Sequence, residues 1–562
     1  MHRLARFSMA LVASTWLAAH GAAPSAGISA PERLGAVSFE VSCSPSVQAP
    51  FNRGVALLHD FWYGEAERQF ETIAHDDPSC ALAHWGIAMS IYHQIWNRPD
   101  EDTMAQGQAE MQKAAAPAAK TAREREYIAA LSRFYQPAPQ DYQARVEAYS
   151  AAMGELYRRY PKDPDAGAFY ALSLLAAEAP DDTSLAQEHK ALAVLNPLFP
   201  LYPDHPGVVH YIIHACDTPS LAADGLAAAK HYGEIAPSGA HAVHMPGHIF
   251  ARLGMWQEDI KANLASVAAS QAAQARHESD GMDQFHSDDF LLYAYLQSGQ
   301  EALAQSVVHD ATAQLTRFEA MPEMTSHFMQ SMFPYYRIKL PAFYALELRD
   351  WKAAAALEPL AGASPETQVL TYWARIVADG HLRQAPQARA DLAAYDTLLA
   401  QVRKGKHAYY ADSTAARIER GEVLAWTAFA NGDQAEALTQ MRASADLQDK
   451  VGQGEVDIPA REMLADMLLE YRQPQQALTE YERALKHSPN RFNGLFNAGR
   501  AAEAFGDKSK AMKYYAALLE STHNGAQSAR PEFDHVKSFM GALVTVGERV
   551  YQVGGRQIAG HQ

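Results

Sequence analysis

Residues 464–489 read LADMLLEYRQPQQALTEYERALKHSP, and residues 498–515 read AGRAAEAFGDKSKAMKYY. Offset by 34 positions, Tyr471 falls on Phe505, Ala477 on Ala511 and Tyr481 on Tyr515. A repeat of that length holds two helices, and because one such pair cannot bury its apolar face alone, copies stack. Outward from this stretch, from Phe51 onward, nearly every segment has the spacing of an amphipathic helix of roughly 10 to 18 residues, ended by Gly, Pro or Asp-rich turns. No run alternates at period two, so the sequence predicts an all-α chain.

The repeats resemble the tetratricopeptide repeat (TPR) family, in which small residues mark close helix contacts, aromatics act as wedges and a proline ends the second helix. Leu464, Ala477, Tyr481, Ala484 and Pro489 take the family's positions in one copy, and Ala498, Gly499, Ala502, Gly506, Ala511 and Tyr515 do so in the next. Gly54, Ala66, Phe70 and Pro78 fit the same template near the start. Looser copies put Gly254, Gly299 and Gly432 at the turn between paired helices, with Ala304 and Ala437 on the second helix. The strings FNRGVALLHDFWYGEAERQF, HYIIHACD and HMPGHIFARLGMW resemble a group of exported bacterial TPR proteins. The resemblance implies an α-solenoid of antiparallel helix pairs and says little about chemistry. We read it as two halves: a helical domain over 40–314, a connecting segment at 315–341, a repeat array over 342–525, and a tail or capping helix over 526–562.

The first 26 residues carry Arg3 and Arg6 ahead of an apolar run from Phe7 to about Ala19, followed by small residues. That is the pattern of an export signal, placing the mature protein in the periplasm or outside the cell. No other run is long enough for a membrane span. A formal charge of −17 disfavours phosphate backbones, so no nucleic-acid partner is expected. With three cysteines the fold is not built on disulfides, but Cys43 and Cys80 flank a predicted helical hairpin and could pair after export, leaving Cys216 unpaired.

Seven histidines lie between His205 and His248, where the chain average of 24 in 562 would give roughly two. In HYIIHACD, helical spacing puts His210, His214 and Asp217 on one stripe, with Cys216 turned more than 90° away as a small core residue. In HAVHMPGH, Pro246 predicts a helix that starts there, with His248 in its first turn and His241 and His244 in the preceding turn. Buried imidazoles need partners, and a transition metal serves several at once while requiring them neutral. The alternative is a hydrogen-bonded network lining a groove, with His205 and His231 at the surface. The metal reading brings His210, His214 and His248 together on a shared ion, then His244, Asp217 and His241. Such a donor set suits Zn, Cu, Fe or Ni.

His59, His84, His93 and His286 are weaker candidates, each more often a cap, surface group or satisfied core residue. Met321, Met324, Met329 and Met332, with His327 among them, resemble soft Cu(I) ligands, but the favoured reading is an apolar helix joining the two halves with methionine as gap-filler. HExxH, GxSxG, GxxxxGK and GxGxxG are all missing. If the centre is hydrolytic, Asp217 or Glu234 is a candidate base; if oxidative, Tyr211, Met245 and Trp256 could line a pocket for an aromatic substrate. Three functions stay open: a binding or scaffold protein with a metal centre, taking a peptide or protein in its groove; a metalloenzyme; and an interaction module with structural histidines.

Overall fold

The computed structural model describes residues 32–541, apart from 96–97, 116–118, 138–140, 180–181, 280, 321–326, 406–407 and 455. The expected export signal and residues 542–562 of the expected tail lie outside the described residues, as do Met321 and Met324. The described residues from Arg33 onward make one compact unit. Among the described residues there are 25 α-helices and no β-strand, and successive helices pack in antiparallel pairs as an all-α, TPR-like solenoid. No described helix is long and apolar enough to cross a membrane.

The packing rule of the array is a large ring seated on a missing side chain. Phe70, on the Tyr63–Asp76 helix, lies between Gly54 of the preceding helix and Gly86 of the next. A Cβ at either glycine would meet that ring at 2.7 Å and 2.3 Å. Tyr515 on Gly499 repeats the arrangement near the other end, where an added Cβ would stand 2.3 Å from the ring. Gly254, Gly299, Gly432 and Gly506 all have positive φ at the turns between paired helices, where a side chain would be strained. A disulfide joins Cys43 to Cys80, tying the chain before the Gln48–His59 helix to the start of the Ala81–Ser90 helix.

The apolar core changes over at 250 and 251, between a cluster spanning Leu34 to Phe250 and another spanning Ala251 to Val536. Described residues of the expected connector at 315–341 contribute to the core. Leu315, Phe318, Phe333, Tyr336 and Leu340 all enter the second cluster, because the His327–Glu347 helix carries Pro334 and Pro341 and still packs against Phe285 and Phe318. The two clusters meet at the helices that carry the histidines.

Candidate metal centre

Three neighbouring helices supply the imidazoles: Pro206–Cys216, Ala240–Leu253 and Met282–Gln297. The first starts at Pro206, with His205 capping it by accepting from Val208 N at 3.3 Å. The second corrects the sequence reading. It does not begin at Pro246 but runs through it from Ala240, and every residue from Ala240 to Ala251 is buried. A helical proline costs about 3 kcal/mol, and burial on all sides is what offsets the lost hydrogen bond. The consequence is geometric: in one unbroken helix His241, His244 and His248 share a stripe about 60° wide.

Two trios result. In the first, His210, His214 and His241 bring their nitrogens within 4.8 Å of one another, with ring centroids 4.6 Å apart for His210–His214 and 5.0 Å for His210–His241. In the second, His244, His248 and His286 do the same, with centroids 4.8 Å apart for His244–His248 and 4.5 Å for His244–His286. The expected meeting of His248 with His210 and His214 is therefore corrected: His248 points into the second trio, because it sits two turns along the helix from His241. His286, singled out only weakly by the sequence, completes that trio. Its neighbour helix is distant in the chain, so no local spacing announced it.

Proton positions, assigned from hydrogen-bond partners, show which way the lone pairs face. His210 Nδ1 lies 2.6 Å from the backbone carbonyl of His59, which can only accept, so that nitrogen carries the hydrogen. His210 Nε2 is then a lone pair, buried and without a hydrogen-bond partner. Asn263 donates through Nδ2 to Asp259, so its Oδ1 accepts from His244 Nδ1 at 2.6 Å. Asp217 Oδ2 accepts from His248 Nδ1 at 2.9 Å. Both remaining nitrogens, His244 Nε2 and His248 Nε2, present lone pairs to each other at 2.9 Å. Two lone pairs at that distance repel unless a positive charge, a proton or a metal ion, lies between or beside them. The separation is near the edge of about 3 Å that bonds of roughly 2.1 Å at right angles would span.

Burial keeps His210, His241 and His286 neutral. It holds His210 and His241 well below the usual histidine range, helped by the neighbouring imidazoles, and lowers His286 to about 3. A neutral ring is the form a metal takes. Asp217 behaves differently. Burial pushes its carboxyl up, but Arg252 and His248 outweigh this and hold it below the usual range, so it is ionised. The sequence put Asp217 on the histidine stripe as a ligand. In the structure the helix ends at Cys216 and Asp217 is its C-cap, receiving Arg252 Nε at 2.9 Å as well as His248. It orients a ligand instead of facing the trio.

The glycines after each proline make room for these supports. A Cβ on Gly207 would stand 2.3 Å from His59 Nδ1, and one on Gly247 would stand 2.8 Å from Asn263 Nδ2. HPG and HMPG therefore serve the same purpose, each admitting the residue that holds an imidazole in place; the paired Pro-Gly steps are the signal that sequence reasoning passed over.

A third group, His59, Asp165 and His205, is chemically distinct. His205 Nδ1 accepts from the backbone, so its Nε2 donates to Asp165 Oδ1 at 3.2 Å, and His59 Nε2 donates to the same oxygen at 3.1 Å. His59 Nδ1 accepts from the Tyr211 hydroxyl at 3.0 Å. Every ring nitrogen here has a partner of the right kind, so this group reads as a hydrogen-bonded network supporting His210. His205 is buried in it, not at the surface. His84 bonds Glu110 elsewhere, His93 stacks on Tyr63, and His231 meets Asp204. Cys216 is buried in the core, its Cβ packed where Gly225 leaves space.

Of the expected pocket residues, Tyr211 and Met245 are fully buried, and the Trp256 indole donates to Asn490 O at 2.9 Å, at the contact with the C-terminal repeats. Of the three, Tyr211 packs beside the first trio, its ring 5.3 Å from that of His210.

Comparison with protein-family models and with curated protein sequences gives no match. Solved structures align with the chain at low similarity. The TPR domain of P58(IPK) is 12% identical over 88% of this chain and 99% of its own, with a TM-score of 0.19. Yeast Tom70 is 13% identical over 86% and 99%, with a TM-score of 0.30, and the human IFIT1 dimer with m7Gppp-AAAA is 10% identical over 78% and 90%, with a TM-score of 0.35. The fold assignment rests on the ring-on-glycine packing and turn glycines of the chain itself.

Proposed function

We propose that this chain is an exported, TPR-like binding protein that holds a transition metal, Zn, Cu, Fe or Ni, through the inward-facing imidazoles, while its plainer repeats over 342–525 take a peptide or protein partner. Export is supported by the composition of residues 1–26 and by the Cys43–Cys80 bridge, which suits an oxidising compartment. The exported group that the HYIIHACD and HMPGHIF strings resemble belongs to the same reading. The single observation that carries metal binding is the approach of His244 Nε2 and His248 Nε2 at 2.9 Å while each ring's other nitrogen is held by Asn263 and Asp217. Locking the outer nitrogen so that the inner one points at an ion is the usual office of such second contacts. The test is metal analysis of untagged protein. Near-stoichiometric metal that falls in the His244→Ala, His248→Ala double variant at unchanged helicity supports the site. No metal after reconstitution with any of the four ions removes it.

A metalloenzyme is the second reading, favoured by one observation: His214 and His286, one in each trio, are only partly buried. Catalytic centres keep a solvent-reachable coordination position, whereas structural ones close. Azide should then shift the visible spectrum of Co(II)-loaded protein; an unchanged spectrum leaves the binding role.

A further inference from the structure

Resting on the metal-binding reading above, we propose that the centre is a pair: two metal ions, one in the His210, His214, His241 trio and one in the His244, His248, His286 trio, held about one helical turn apart by histidine nitrogens. Four features of the two trios match. Each takes two histidines four residues apart on one helix and a third from the next helix but one along the chain: His210 and His214 with His241, then His244 and His248 with His286. Each is touched on all its members by one phenylalanine. Phe61 lies 4.5, 5.4 and 5.3 Å from the rings of His210, His214 and His241. Phe290 lies 4.8, 4.8 and 5.3 Å from those of His244, His248 and His286. Each trio also has one partly buried histidine, and each has one carboxylate behind a ring: Asp217 at 2.9 Å from His248 Nδ1, and Asp283 at 3.8 Å from His241 Nδ1.

The trios join on the Ala240–Leu253 helix, where the rings of His241 and His244 are 6.2 Å apart. An α-helix rises ~1.5 Å per residue, so ions held at these adjacent turns would lie roughly 5 Å apart. Phe61 has φ +56°, a left-handed backbone that strains an aromatic residue, and its ring lies over the first trio. Among the described residues neither trio includes a thiolate or a carboxylate, a donor set that disfavours Mg and Ca, which need oxygen ligands, and suits transition metals, copper among them.

The experiment uses untagged mature chain, stripped with a chelator and titrated with Cu(II), read by metal analysis and electron paramagnetic resonance. Two equivalents are expected, with dipolar broadening between two nearby spins. His286→Ala and His214→Ala should each drop the load to one equivalent and leave the sharp spectrum of an isolated Cu(II). Saturation at one equivalent in the parent protein, or two equivalents with no interaction between spins, overturns the pair while keeping the metal site. No bound copper at all, with none from the other ions, overturns both. Because the parent protein's stoichiometry and spectrum decide the matter, a variant that fails to fold does not.

Discussion

An imidazole can point only one lone pair at an ion, so what sits on its other nitrogen decides whether it can serve as a ligand at all. Asp217 is the plainest case, because its carboxylate accepts from His248 and is itself held by Arg252. Asp217→Asn keeps an oxygen for the ring but removes the charge, and removing such supports weakens metal binding about 10–100-fold. Competition against a chromophoric chelator measures this; a change under twofold would mean that His248 does not bind the ion. Far from the centre, Asp379 shows what an unsupported carboxyl does. It is buried, its Oδ2 has no hydrogen-bond partner, and burial with Asp391 nearby raises it to about 6. A folded value above the unfolded one of about 3.9 means that folding favours the proton, so stability falls as pH rises between those values. Asp379→Asn should therefore flatten that part of the profile and raise the urea midpoint at pH 7, and an equal slope in both proteins would refute the assignment. Individual roles like these were the least legible part of the sequence. The run of histidines was plain, but partners such as Asn263 and the His59 carbonyl lie on other helices, and no spacing rule reaches them.

Among the helices, the sequence was most informative where a side chain is absent. Gly54, Gly499 and the turn glycines could be placed from the 34-residue period because each is required by an aromatic wedge or a left-handed turn. The Ala240–Leu253 helix was misread at Pro246 for the opposite reason: a local penalty is visible in sequence, whereas the burial that overrides it is not. That one boundary set which histidines share a face, so the partition into trios was hidden with it. The ring-on-glycine rule can be tested at the first repeat. Gly54→Ala puts a methyl 2.7 Å from the Phe70 ring, which is fixed on its other side by Gly86. Overpacking of this kind costs about 1–3 kcal/mol. We expect a lower thermal midpoint, whereas Gly64→Ala, with nothing within 4 Å of the new Cβ, should not lower it. Equal behaviour of the two would mean that Phe70 yields freely and is no wedge.

Over the whole chain, the histidine helices are gripped from behind by the C-terminal repeats. Arg252 donates through Nη1 to Gln453 O and Gly454 O, Asn490 donates to Gly254 O, and Phe492 N donates to Gln297. At the middle of this contact Arg491, fully buried, meets Glu347 and Glu462, both at 2.9 Å, and also donates to the Tyr293 hydroxyl and Asp457 O. The two carboxylates come from separate helices, His327–Glu347 and Ala460–Glu470, so one guanidinium ties the segment after the centre to the repeats that return to it. A buried ion pair adds little net stability, but breaking one strands charge in a low dielectric. Arg491→Ala would leave Glu347 and Glu462 buried together, at a cost of about 3–5 kcal/mol. Arg491→Lys should recover only part of this, because an ammonium cannot match the guanidinium's planar fork of donors. If the contact also holds the histidine helices in place, Arg491→Ala should weaken metal binding although no trio atom has changed. Urea unfolding and chelator competition on the same variant separate the outcomes. Lost stability with unchanged affinity would show that the repeats brace the fold alone, and loss of both would show that they hold the Ala240–Leu253 helix in register.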